Sequence, residues 1–393
     1  MKRMVQWAVV MLVAVLILLP ASSKAAGEVV IGFLNDLTGF MAPAAIPGMQ
    51  GAKTMLEIKG YKVDGRPIKL VVEDTACEPA QALDKVRKLV EVDKASIIVG
   101  PIFGGTHLAI APYLDKVKVP SLTIEGNWET MALDNQWTWI VSGGLIQQNY
   151  QMGIFAYKDA GYKTATILFP DYAGGPNFYE GFKKGFTESG GKIVQEQWFP
   201  VTAKDFAPYL LALKPADVLA VFPVGEATFS FYKAVNDLKL KIPIFGGPDE
   251  MGNPAILNAL AGGPPGLKIS VPYFNTMDTP GNKEFVQAYQ KQWKELPGHT
   301  SGCAAAAMQV ALEAIKKAGG DTSGPALAKA LGKIDMETIR GRITMTPDRV
   351  GTVSYSVASI VKKADGTYSY KVLKTTKVIC KKVGNKLTYS VSE

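Results

Sequence analysis

Past residue 27 the chain alternates short apolar runs with longer segments whose apolar positions recur every three or four residues. The runs EVVIGFL (28–34), IKLVVED (68–74), ASIIVG (95–100) and PSLTIE (120–125) read as strands. Between them GMQGAKTMLEIKG (48–60), PAQALDKVRKLVE (79–91) and THLAIAPYLDKV (106–117) read as helices. A second series repeats the alternation: strands at 137–143, 164–170, 192–200, 217–223, 242–247 and 267–274, helices at 148–161, 175–190, 205–214 and 226–240. This is the βαβ signature of parallel sheets covered by helices, and it predicts two α/β sheets of similar size. From residue 282 the texture changes: helical patterns at 282–296, 302–320 and 325–334 precede Val-, Thr- and Tyr-rich strands at 340–345, 352–363 and 368–376. These late elements must pack on the earlier series, so the chain crosses between domains more than once.

The N-terminus changes the picture of where the chain acts. Residues 1–25 carry early cations, an apolar run of about 13 residues from Trp7 to Leu19, and a Ser23-Lys24-Ala25 step. The run is short of the roughly 20 residues that cross a bilayer, and the small residues read as a cleavage site, so 1–25 is expected to be a signal peptide. About 368 residues remain, enough for two domains. The net charge of +8 includes Lys2, Arg3 and Lys24 of the leader, which leaves a mild surplus without long runs of like charge, and nucleic acid is not implied. Cys77, Cys303 and Cys380 are too few for a disulfide framework.

Candidate chemistry lies where strands end. In open α/β sheets ligands sit beyond the carboxyl ends of the strands. The strand at 95–100 runs into Pro101, Phe103, Gly104 and Gly105 before a helix expected to start near Thr106. Bare glycines let a bound group approach the backbone, and first-turn N–H groups suit an anion. The Thr106 hydroxyl either caps the helix or donates to the ligand. Other strand ends carry Glu125 and Asn127, then Asp171 and Tyr172, then Asp249 and Glu250. Carboxylates facing an anion cradle would suit a zwitterion. Phe103, Tyr172 and Trp128 are candidate aromatic walls, though core or surface packing explains each as readily.

The chain resembles the leucine/isoleucine/valine-type periplasmic binding proteins of ABC transporters from about Val29 to Val361. The likeness rests on EVVIGFLNDLTGFMAPAAIPGMQGAK, VVEDTACEPAQALDKVRKLV, IIVGPIFGGT, ILFPDYAGGPNFYEGFKKGF and IPIFGGPDE, in that order and spacing. It implies a fold of two doubly wound α/β lobes joined by three crossover segments, the type I periplasmic binding protein, with the ligand closed between them. The crossovers are expected near Val141–Gly144, Ser270–Phe274 and Thr344–Val353. Lobe one is expected to comprise 26–142 plus 273–346, and lobe two 143–272 plus 347–393. By the same likeness Gly104 stands where the family has a carboxylate-holding serine, Glu125 and Asn127 lie on the loop that meets the ammonium, and Asp249 matches its carboxylate partner. Ala44, Gly174 and Val224 replace aromatic or Tyr positions, which implies a wider pocket. Cys77 matches a family cysteine whose partner position is Phe103 here, so that bridge cannot form; pairing of Cys303 with Cys380 stays open.

Enzyme signatures are missing. There is no HExxH, no G-x-S-x-G, no P-loop and no dinucleotide glycine spacing, and His107 and His299 are the two histidines. Glu125 and Asp249 fit charge anchors better than an acid–base pair. The expectation is a monomeric periplasmic binder, with neither cofactor nor metal, that captures a small carboxylate ligand and passes it to an inner-membrane ABC permease. The ligand is an amino acid of branched-chain type or a relative; the alternatives are an aromatic or aliphatic acid without an amino group, or a sensory role. The expected contacts are Phe103, Gly104, Gly105, Thr106, Glu125 and Asn127 from lobe one and Tyr172, Val224 and Asp249 from lobe two.

Overall fold

A computed structural model describes residues 27–125, 132, 134–172, 174–246, 250–383 and 386–392. The expected signal peptide, Asn127, Trp128 and Asp249 lie outside the described residues. The first unit runs β1 (Val29–Asn35), α1 (Ala42–Ile58), β2 (Lys62–Val63), β3 (Arg66–Asp74), α2 (Pro79–Arg87), β4 (Ile97–Val99), α3 (Gly104–Val117), β5 (Ser121–Leu122) and β6 (Thr138–Trp139). Its strands form one sheet in the order β2-β3-β1-β4-β5-β6, parallel except for the β2–β3 hairpin. β1 lies between β3 and β4 and buries nearly every residue, which is why it carries Val, Ile, Phe and Leu with little alternation.

The second unit runs α4 (Leu145–Lys158), β7 (Thr164–Asp171), α5 (Gly175–Glu188), β8 (Lys192–Pro200), α6 (Ala207–Leu211), β9 (Val218–Val221), α7 (Glu226–Asp237), β10 (Ile244–Gly246), α8 (Pro254–Ala259) and β11 (Lys268–Val271). Then follow α9 (Asn282–Trp293), α10 (His299–Lys317), α11 (Gly324–Leu331), β12 (Asp335–Thr338), β13 (Gly341–Met345), β14 (Gly351–Lys362), β15 (Tyr368–Val383) and β16 (Lys386–Ser392). The two sheets are not of similar size. The second has the order β12-β13-β14-β11-β10-β9-β7-β8, and β15 and β16 extend it from β14, ten strands against six. The long C-terminal strands all add to this sheet by antiparallel pairing. The intervening helices α9 and α10 return to pack on α1 of the first unit. β12 and β13 straddle both: Thr344 pairs with Thr352 of the second sheet, while Ile339, Ile343 and Met345 join the apolar cluster that holds Ile31, Phe33 and Ala304.

The chain leaves the first sheet after β6, leaves the second after β11 for the helices that pack on the first unit, and turns between β13 and β14 within the second sheet. Two of these passages touch: Ile140 N–H donates to Arg349 O at 2.9 Å and Gly351 N–H to Ile140 O at 2.8 Å. The buried Arg340 guanidinium donates to Ser142 O at 2.9 Å, and the Tyr355 hydroxyl to Gly144 O at 3.1 Å. Gly143 has φ +72°, and a Cβ there would lie 2.1 Å from the Tyr355 hydroxyl, so this passage needs glycine on both counts.

Cys303 and Cys380, whose pairing the sequence left open, are not bonded to each other. Cys303 is buried with the first unit's core and Cys380 lies in a separate small cluster with Ile140 and Val350.

In α5, Phe178, Phe182 and Phe186 recur every four residues and are fully buried, as the 3.6-residue period requires of one helix face. Gly185 brings α5 against α4: a Cβ there would sit 2.0 Å from Tyr150 O. Gly185→Ala therefore forces the two helices apart. It is expected to cost about 1 to 3 kcal/mol, read as a lower urea midpoint; an unchanged midpoint would show that this contact is not close-packed.

Candidate functional site

The loop after β4 is held from behind by two side chains at the end of β1. Asn35 accepts from Ile102 N–H at 3.1 Å, and Asp36 accepts from Phe103 N–H at 2.8 Å and from the Thr106 hydroxyl at 2.9 Å. Thr75 also donates to Asp36. Burial pushes the Asp36 carboxyl up, against the opposing pull of these donors. α3 begins at Gly104, two residues before the expected start, so the glycine pair forms its first turn. An internal carboxylate thus takes part of the donor set that the sequence suggested for a ligand. Thr106 is fully buried and donates to Asp36 and to Phe103 O, while the N–H groups of Gly104 and Gly105 have no acceptor within the helix.

Phe103 leaves this loop to meet Tyr172 from the end of β7. Their rings stack with centroids 5.9 Å apart and planes 21° from parallel, and Phe40 meets Phe103 edge-on at 5.2 Å. A glycine makes room for each ring. A Cβ on Gly105 would lie 2.6 Å from the Phe103 ring, and one on Gly174 would lie 2.5 Å from the Tyr172 hydroxyl. Gly105 therefore accommodates Phe103's own ring as well as offering its N–H. Phe40 O accepts from Glu226 N–H at 3.3 Å, so the two sheets' loops touch here. A pocket of about 490 Å³ opens beside this contact, lined by Phe40 and by Val201, Lys204 and Glu226. Val224 and Ala44 are buried in the apolar cluster behind the rings.

Beneath the rings lies a polar group that the sequence only half disclosed. Glu125, at the end of the β5 strand, is 8% exposed, and its Oε1 lies 2.9 Å from His299 Nε2 at the start of α10. Glu250, after β10, is 4% exposed; it accepts from Gly225 N–H at 2.7 Å and from the Thr228 hydroxyl. Burial raises its carboxyl to about 7, although Thr228, Gly225 and His299 pull the other way. The Tyr172 hydroxyl is raised by burial and then by the charges of Glu125 and Glu250. Phe103 thus meets Tyr172, and Glu125 meets His299, whose ring packs on Gly252, two residues past Glu250. Glu250 was visible on the same strand-end loop as Asp249; for His299 the signal was a rare histidine at a helix start after Pro-Gly. His107, by contrast, is fully buried against Ser121, its Nε2 3.2 Å from Ser121 Oγ, and burial lowers it to about 4.

Two lobes that meet at the carboxyl ends of their strands, with rings and carboxylates between them, define a cleft binder of small molecules. Residues 28–366 match the family described as periplasmic binding protein, and the chain belongs to it. Its family and fold are those of solute-binding proteins, not of enzymes. A Leu/Ile/Val-binding protein homolog 6 from Brucella abortus is 26% identical over 371 residues, 91% of this chain and 94% of that one. A leucine-, isoleucine-, valine-, threonine-, and alanine-binding protein of Pseudomonas aeruginosa is 27% identical over 82% of this chain and 86% of its own. The crystal structure of an ABC transporter solute-binding protein from Rhodopseudomonas palustris, in complex with 3,4-dihydroxy benzoic acid, superposes with a TM-score of 0.83 at 27% identity, covering 89% of this chain and 97% of that one. No helix among the described residues is long and apolar enough to cross a membrane.

A carboxyl raised in the folded state holds its proton more tightly than in the unfolded chain. Its contribution to stability is therefore complete below the ordinary value of 4.5 and is lost as pH rises through about 7. Glu250→Gln removes that titration. Between those two pH values the melting temperature of the wild type should fall relative to that of the variant; parallel curves would show that Glu250 titrates normally.

Proposed function

We propose that this chain is the exported, periplasmic receptor of an ABC importer, and that it closes on a small ring-bearing carboxylic acid which it delivers to an inner-membrane permease. The stacking of Phe103 on Tyr172 across the cleft carries this reading. With lobes that separate and close, a planar ring can take the place that each side chain now gives the other, and ligand contacts to both lobes favour the closed form. The N–H groups of Gly104 and Gly105 receive the carboxylate, with the positive end of α3 behind them. Asn127 and Asp249 complete the proposed wall with Val224 packed behind it, Thr106 supports it through Asp36, and residues 1–25 are removed on export. The receptor acts as a monomer, built from 26–142 plus 273–346 and 143–272 plus 347–393. Support also comes from the dihydroxybenzoate-bound relative, which is as similar to this chain as the amino-acid binder of Pseudomonas aeruginosa.

A branched-chain amino acid is the second reading, favoured by the paired burial of Glu125 and Glu250, to which an ammonium would be drawn. A thermal-shift panel separates the two, because a ligand that binds only the folded state raises its melting temperature. Benzoate-type acids are expected to stabilise the protein and leucine to leave it unchanged; the reverse pattern would reject the ring reading. In calorimetry Phe103→Ala should weaken binding of the stabilising acid by roughly 1 to 3 kcal/mol, and undiminished affinity would remove Phe103 from the site.

A further inference from the structure

We propose that Glu125, Glu250 and His299 form a subsite for a hydrogen-bond-donating substituent at the end of the ligand remote from its carboxylate, and that this subsite excludes a second carboxylate. The inference rests on the ring reading above and adds the chemistry of the ligand's far end. A carboxylate offers about four acceptor positions and no donor. In Glu125 one oxygen faces His299, and in Glu250 the named donors are Gly225 N–H and Thr228. Acceptor capacity therefore remains on both, in a place nearly closed to water.

The two side chains come from opposite lobes, Glu125 beyond β5 and Glu250 beyond β10, and His299 links their segments: one ring nitrogen faces Glu125 and the other packs on Gly252, two residues past Glu250. A hydroxyl or amino group on a ring held at Phe103 and Tyr172 would donate to this pair and join the lobes through it. A carboxylate in the same position would meet two acidic groups in a site of low dielectric, where like charges repel strongly. The pair therefore also orients the ligand: its carboxylate is driven away from the glutamates and toward the α3 end of the cleft. His299 acts as a positioning residue, since its ring holds the Glu125 carboxylate in place; its opposite nitrogen would stand 2.5 Å from a Cβ on Gly252, so the ring is packed on that side.

The test is calorimetry of the intact mature protein at about pH 8.5, where Glu250 is ionised, with benzoate, 4-hydroxybenzoate and terephthalate, which share a ring and one carboxylate and differ at the far end. Binding of 4-hydroxybenzoate about tenfold or more tighter than benzoate, with terephthalate weakest, supports the subsite. Affinities for benzoate and 4-hydroxybenzoate within about twofold, or terephthalate tightest, overturn it while leaving the ring reading intact. In Glu250→Gln the gap between 4-hydroxybenzoate and terephthalate should narrow, a change in selectivity that loss of packing alone would not produce; an unchanged gap speaks against Glu250, and Glu125→Gln serves if that variant does not fold. If none of the three aromatic acids binds, the ring reading fails and the subsite falls with it.

Discussion

Two glutamates held out of water at the meeting of two lobes set the terms for the rest of this molecule. A buried carboxylate is costly unless donors surround it. Glu250 is met by the backbone of Gly225 and by Thr228, and Glu125 by His299. Those partners come from the start of α7 and the start of α10, so the arrangement exists only while both sheets, and the helices that return from the second to the first, are in register.

The same economy governs the loop at the start of α3. Asp36 lies behind it, buried and hydrogen-bonded to Phe103 N–H and Thr106, and fixes the direction in which Phe103 leaves the backbone. That direction brings Phe103 onto Tyr172, and the glycines at 105 and 174 leave room for the two rings. Apolar burial and ring geometry thus favour the placement of the lobes seen here, and the passages between them touch at Ile140 and Gly351.

Much of this architecture was legible in the residues, because periodicity reports burial directly. The strands at 164–171 and 192–200 and the helix at 175–188 lie close to where their patterns put them. Less legible was where the C-terminal strands would attach: the pattern shows a half-buried strand but not which sheet edge it joins, and the second sheet outgrew the first for that reason. The site was legible to the level of loops. Strand-end position picked out Phe103, Glu125 and Tyr172 as candidates, yet spacing cannot say whether Thr106 turns inward to Asp36 or outward to a guest. Nor can it show that a histidine far along the chain returns to Glu125, since that contact depends on tertiary packing of α10.

The central claim is that the lobes grip a small acid by closing on it. The most direct measurement is the distance between spin labels placed on exposed surfaces of the two lobes, recorded with and without 4-hydroxybenzoate at a concentration that calorimetry shows to be saturating. Closure predicts a shorter mean distance and a narrower distribution in the bound sample. The same distribution in both samples, with the acid demonstrably bound, would contradict it.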